Sequence, residues 1–372
     1  MGFGKLGRTV ERRDRLDFVQ FGWVIPWFSD AHWKYTVCCI SSSCRVKASS
    51  DVHLHQSVRN TSRFRVYSIT TMNSMHGELF MYDNEKRLVG FLSRANDSTQ
   101  CSNIAQQFVI FIGGLSDGFL PLEYSSKLCK SLNEKNVHFI SVLLSSSYTG
   151  YGLSSISQDV NELNLMLNYV YTHFTSNNQQ KPKVILFGHS TGCQDIIAFL
   201  HSNTEISGCI LQGPVSDREY LATFASTKSK IQLAQSLVSQ GKSKHILPWN
   251  PDAEDGLAPI TASRYLSLAL KSNPPGEDDM FSTDLSQHEL LQIVQHLKQI
   301  PTLLVFSEND EYVPTNIDWR TFATRLHSAM GTDTTQLLIL NQANHAVSFP
   351  MHAQSQLISK SVDFIQESFS DH

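Results

Sequence analysis

The sequence predicts a doubly wound, mostly parallel α/β sheet with a helical insertion. Three observations carry this: short apolar runs alternate with amphipathic helical stretches, a glycine-flanked serine stands between one run and the next helix, and one interval between strands is too long for a single crossover. The runs at 108–112, 139–144, 184–187, 209–211, 303–306 and 337–340 are nearly continuous in apolar residues, the pattern of strands buried on both faces. Val160, Leu163, Leu167, Val170 and Phe174 recur at steps of three and four, as do Ile358, Val362, Ile365 and Phe369, so each set forms one helical stripe. No repeat of 20–50 residues is present, which excludes solenoids and propellers.

Taken in order, the strand at 108–112 ends in Gly113-Gly114-Leu115-Ser116-Asp117-Gly118, where glycines let backbone approach a ligand. A phosphate cradle would need a following G-K-[ST], which is missing. The strand at 184–187 leads into Gly188-His189-Ser190-Thr191-Gly192 and then a helix with Cys193, Ile196, Ile197 and Leu200 on one face, so Cys193 reads as a core thiol. After the strand at 209–211 about 90 residues pass before the next, where a crossover helix needs only a dozen or so. Residues 215–300 are therefore expected to form a helical lid, its last helix opened by a Ser286/Glu289 capping box. The strand at 303–306 precedes Glu308-Asn309-Asp310-Glu311-Tyr312-Val313-Pro314, and the strand at 337–340 precedes Asn341-Gln342-Ala343-Asn344-His345. The acidic run Glu277-Asp278-Asp279, with Asp284, is expected as a solvated loop beside Pro274-Pro275-Gly276.

With 372 residues, 41% hydrophobic and 17% charged, and a mean hydropathy of -0.20, the chain folds in water as one large domain plus extras. The longest apolar candidate, 18–28, is broken by Gln20, Gly22 and Pro26, so no transmembrane segment is expected. Net charge is -4, but residues 1–70 hold 11 basic against 5 acidic residues, leaving 19 basic and 29 acidic for the rest. A body this acidic repels phosphate backbones and argues against nucleic acid as a partner. Seven cysteines with no C-x-x-C pair point to reduced thiols, hence a cytoplasmic location and no structural metal site.

Residues 1–72 show no sustained helical or strand period, unlike the remainder of the chain, and are expected as a low-order extension ahead of a domain at 73–372. Gly2, Gly4 and Gly7 spell a dinucleotide fingerprint, but no strand can precede residue 2. Gly2 invites myristoylation, yet Leu6 stands where Ser or Thr is required. The extension mimics both a secretory signal and an organellar transit peptide, and also fits a mis-started leader ahead of Met72 or Met75.

The chemistry resides in Gly188-His189-Ser190-Thr191-Gly192, a nucleophile elbow in its required strand-turn-helix context. The turn strains the serine backbone and brings the flanking positions together, so glycine is needed at 188 and 192. A serine hydroxyl stays protonated near neutral pH, so it needs a base, and the base needs an orienting acid. The expected chain order is Ser, acid, His: Asp310 is the acid, with Glu308 as fallback, and His345 is the base, with His352 as rival. An oxyanion hole requires two N–H donors, assigned to Thr191 at the elbow and Leu115 in the Gly113-Gly114 loop.

Four stretches then resemble one family: 111–118, Ser146-Ser147-Tyr148-Thr149-Gly150-Tyr151-Gly152, 188–195, and 260–268 with 278–285. They are similar, over about residues 76–370, to the α/β-hydrolases that include fungal siderophore esterases, long filed as a domain of unknown function. The resemblance implies hydrolysis of ester bonds, fungal relatives cleaving fusarinine-type hydroxamate esters, and Ser190, Asp310 and His345 as the triad. The first seventy residues have no counterpart in the family. A small-molecule ester is thus the expected substrate and no cofactor is needed. Acyl transfer or thioester hydrolysis by the same acyl-enzyme is the alternative chemistry, and a non-catalytic ligand-binding homologue the alternative class.

Overall fold

A computed structural model describes residues 24–29, 32–37, 74–95, 105–119, 121–175, 180–203, 205–274 and 276–370. The chain divides into two compact units, Met1–Ser68 and Ile69–His372. In the first, β1 (Val24–Ser29) pairs antiparallel with β2 (His32–Val37). The expectations placed on Gly2, Gly4 and Gly7, and most of the rest of the extension, lie outside the described residues.

The second unit runs β3 (Glu78–Asp83), β4 (Leu88–Ser93), β5 (Gln107–Ile112), α1 (Ser125–Asn133), β6 (Val137–Val142), α2 (Ile156–Phe174), β7 (Lys183–His189), α3 (Thr191–Leu200) and β8 (Gly208–Gln212). It continues through α4 (Asp217–Leu221), α5 (Thr227–Ser239), α6 (Ala262–Ala269), α7 (Gln287–Val294), β9 (Thr302–Ser307), α8 (Trp319–Met330), β10 (Thr335–Leu340) and α9 (Met351–Ser370). Strand order is β10-β9-β8-β7-β5-β6-β4-β3. Pairing is parallel from β10 through β6 and antiparallel at β6–β4 and β4–β3. The six apolar runs fall on β5 to β10, as the doubly wound reading requires.

Adjacent strand residues face opposite layers, and each layer is covered by helices. Ile110, Leu186 and Leu304 pack with Met166 of α2, Ile196 of α3 and Leu326 of α8, whereas Val109, Phe187 and Val305 pack with Leu128 of α1 and Leu357 of α9. β5 lies between β6 and β7, so the strand order reverses there and opens a crevice at the carboxyl ends of β5 and β7.

The long interval holds two different structures. α4, α5 and α6 enclose their own core of Leu221, Ala234, Leu247, Tyr265 and Leu268. Leu290, Ile293 and Val294 of α7 instead join the sheet core, and the capping box of Ser286 and Glu289 is formed. The expected solvated acidic loop is corrected at its centre: Asp278 and Asp279 are 2% and 3% exposed, whereas Glu277 and Asp284 are exposed as expected. The physical reason is two arginines arriving from the insertion, Arg264 of α6 pairing with Asp278 and Arg218 of α4 lying 3.2 Å from Asp279.

Candidate active site

The turn after β7 holds Ser190 at φ 53° and ψ -120°, a left-handed backbone that side chains other than glycine rarely adopt. A Cβ on Gly188 would stand 2.5 Å from the Gly192 carbonyl oxygen, and one on Gly192 2.5 Å from the Ile112 carbonyl oxygen. The turn therefore closes only with glycine at both places. Thr191 opens α3, so the first free N–H groups and the positive helix end lie directly after Ser190. Cys193 is fully buried in the sheet core, as its stripe predicts.

Ser190 and His345 line one cavity of about 300 Å³, together with Gly114 and Leu115. A Cβ on Gly114 would come 2.8 Å from Ser190 Cβ, so the loop after β5 crosses directly beside the serine. Gly113 would press a Cβ against Asp117 at 2.6 Å, and the Gly114 N–H donates to Asp117 Oδ2 at 2.7 Å. That carboxylate fixes the loop's curl.

His345 follows β10, and its Nδ1–H donates to Asp310 Oδ2 at 2.7 Å; the two side chains are 6% and 4% exposed. Glu308, the fallback acid, instead pairs with Arg320 and accepts from the Gln342 N–H at 2.9 Å. His352 sits exposed on α9. Four of the positions singled out, Ser190, His345, Gly114 and Leu115, thus meet at the cavity, and Asp310 backs the histidine.

Sequence reasoning missed the residues that hold His345 in place. Gln212, fully buried at the end of β8, donates from Nε2 to the His345 carbonyl at 3.0 Å. Its Oε1 accepts from Tyr124 Oη at 2.9 Å and from His189 Nδ1 at 2.7 Å. Burial, with the neighbouring His345, pushes His189 down to about 3, so it is a neutral donor. The Glu311 carboxylate accepts the His345 N–H at 2.8 Å. The available signal was positional: Gln212 directly follows the apolar run at 209–211 and closes β8, at the sheet edge where site residues gather. Among the described residues, no group of three or more His, Cys, Asp or Glu could hold a metal, and no helix is long and apolar enough to cross a membrane.

Comparison with known proteins gives a family match over residues 71–366, to the group described as a protein of unknown function (DUF1749). The UPF0613 protein PB24D3.06c of Schizosaccharomyces pombe is 31% identical over 256 residues, 64% of this chain and 79% of that one. The fusarinine C esterase sidJ of Aspergillus fumigatus is 27% identical over 316 residues, 69% of this chain and 88% of that one. Among solved structures, the siderophore hydrolase EstB from Aspergillus fumigatus superimposes with a TM-score of 0.67 at 24% identity, covering 80% of this chain and 98% of that one. The fold is therefore that of the α/β-hydrolases.

Proposed function

This chain belongs to the DUF1749 family, and from that premise we propose that it is a serine esterase that cleaves carboxylic esters of a small molecule through an acyl-enzyme. The observation that carries the proposal is the 2.7 Å bond between Asp310 and His345 at the wall of the cavity that Ser190 also lines. His345, oriented by Asp310, takes the Ser190 proton as Oγ attacks the ester carbonyl. The N–H groups of Thr191 and Leu115 hold the oxyanion that forms. The imidazolium returns its proton to the leaving alcohol, and water then repeats the sequence on the acyl-enzyme.

Hydroxamate siderophore esters are candidate substrates, supported by the relative named as a fusarinine C esterase. Within the insertion at 215–300, α4 to α6 supply the lid, and Tyr220, Leu221 and Leu268 of α4 and α6 line the cavity. The buried free thiols Cys129, Cys193 and Cys209 support a reducing compartment, and we assign the protein to the cytoplasm. Hydrolysis of p-nitrophenyl butanoate tests the reading: the wild type turns the ester over and Ser190→Ala loses a factor of about 10⁴ or more in kcat. Comparable rates for the two proteins would refute it.

A further inference from the structure

The cavity beside Ser190 is lined by carboxylates and by no lysine or arginine. Asp117, Asp217, Glu254 and Asp255 all face onto it, and its two histidines are His345 and the neutral His189. The nearest cations are turned elsewhere: Lys230 pairs with Asp255 Oδ2 and Arg264 with Asp278, and neither lines the cavity.

Asp217 accepts a hydrogen bond but forms no ion pair among the described residues. Its carboxylate has Gln194 Nε2 at 3.4 Å, and burial together with the neighbouring Asp278 pushes its pKa up to about 6. Aromatic rings share the lining: Tyr151, Tyr220 and Tyr312 border the same space, with Tyr220 and Tyr312 edge to face at 4.9 Å. Carboxylates with aromatic faces and no lysine or arginine in the lining make a site for an ammonium group.

Resting on the esterase reading, we infer that the cavity selects esters whose acyl or alcohol part carries a protonated amine, held by Asp217 and Glu254. The cation neutralises a negatively charged wall, and the tyrosine faces pack against its methylenes. Neutral esters of the same length fill the volume but leave the acceptors unpaired.

Two matched pairs of esters test this on the full chain. One pair varies the acyl part, p-nitrophenyl 6-aminohexanoate against p-nitrophenyl heptanoate; the other varies the alcohol, 5-aminopentyl butanoate against hexyl butanoate. The expected result is a kcat/KM roughly tenfold or more higher for the ammonium member of at least one pair. The preference should shrink in Asp217→Asn and in Glu254→Gln; the second is at an exposed position and serves if the first fails to fold. Turnover of the neutral esters at rates equal to or above their ammonium partners in both pairs overturns the inference while leaving the esterase reading standing. If no ester is turned over, the esterase reading fails, and calorimetric binding of 6-aminohexanamide against heptanamide decides the subsite alone. Binding about tenfold tighter for the amine supports it, and equal binding overturns it.

Discussion

Ser190 occupies a backbone conformation that only its surroundings can enforce, and Gly114 is the neighbour whose added Cβ would meet the serine itself. Gly114→Ala would place a methyl group 2.8 Å from Ser190 Cβ and move the loop that offers the Leu115 N–H. We expect kcat to fall about a hundredfold or more, the cost of losing one oxyanion donor. Leu115→Ala keeps its backbone donor and should retain most of the rate, so steady-state kinetics on one p-nitrophenyl ester separate the two. These positions were legible in the sequence because each follows a buried apolar run and the run fixes which sheet edge it reaches. Gln212 was not. Nothing in a glutamine's local sequence tells that its amide will bridge His189, Tyr124 and His345, residues 23, 88 and 133 positions away.

The element that ties the insertion to the body is α6, through Arg264. Its Nη1 pairs with Asp278 and its Nε donates to the Tyr151 carbonyl at 3.1 Å, with the residue 4% exposed. Three further buried acids respond to its field: Asp159, pushed up to about 7, Asp217, at about 6, and Asp195, well above the usual range, each chiefly by burial. Arg264→Met removes the one cation that all four share, and breaking such a buried pair costs about 3–5 kcal/mol in urea unfolding. The loss should be larger at pH 8 than at pH 5, since protonation relieves the carboxylates at the lower value. Strands β5 to β10 were readable because burial on both faces leaves almost no polar residue in them. β3 and β4 escaped notice since β3 is a sheet edge with Leu79 and Met81 exposed, so its pattern is neither continuous nor cleanly alternating. The acidic run was misread because charge in a loop implies water unless distant arginines are known to arrive.

Across the whole unit, buried histidines and buried acids pull stability in opposite directions with pH. His138 accepts the Ala95 N–H at Nδ1, at 3.1 Å, and burial, helped by Arg94, holds it down to about 4. Between pH 6.5 and about 4 the unfolded chain protonates this histidine and the folded one does not, so stability falls with pH by about 1.4 kcal/mol per unit. Asp159 and Asp217, raised in the folded state, act the other way and lose stability as pH rises through about 7 and about 6. His138→Gln should therefore lose less stability than the wild type between pH 7 and pH 5 in urea titrations, and a parallel loss would contradict the buried neutral imidazole. The same molecule brings residues 190, 310 and 345 from three strand ends to one rim, and the proposed chemistry depends on that convergence. Peptide mapping by mass spectrometry after treatment with a fluorophosphonate tests it directly. A single phosphonyl group on Ser190, appearing in step with loss of esterase activity, is the expected result; full activity with Ser190 unmodified, or inactivation by an adduct on another residue, would contradict it.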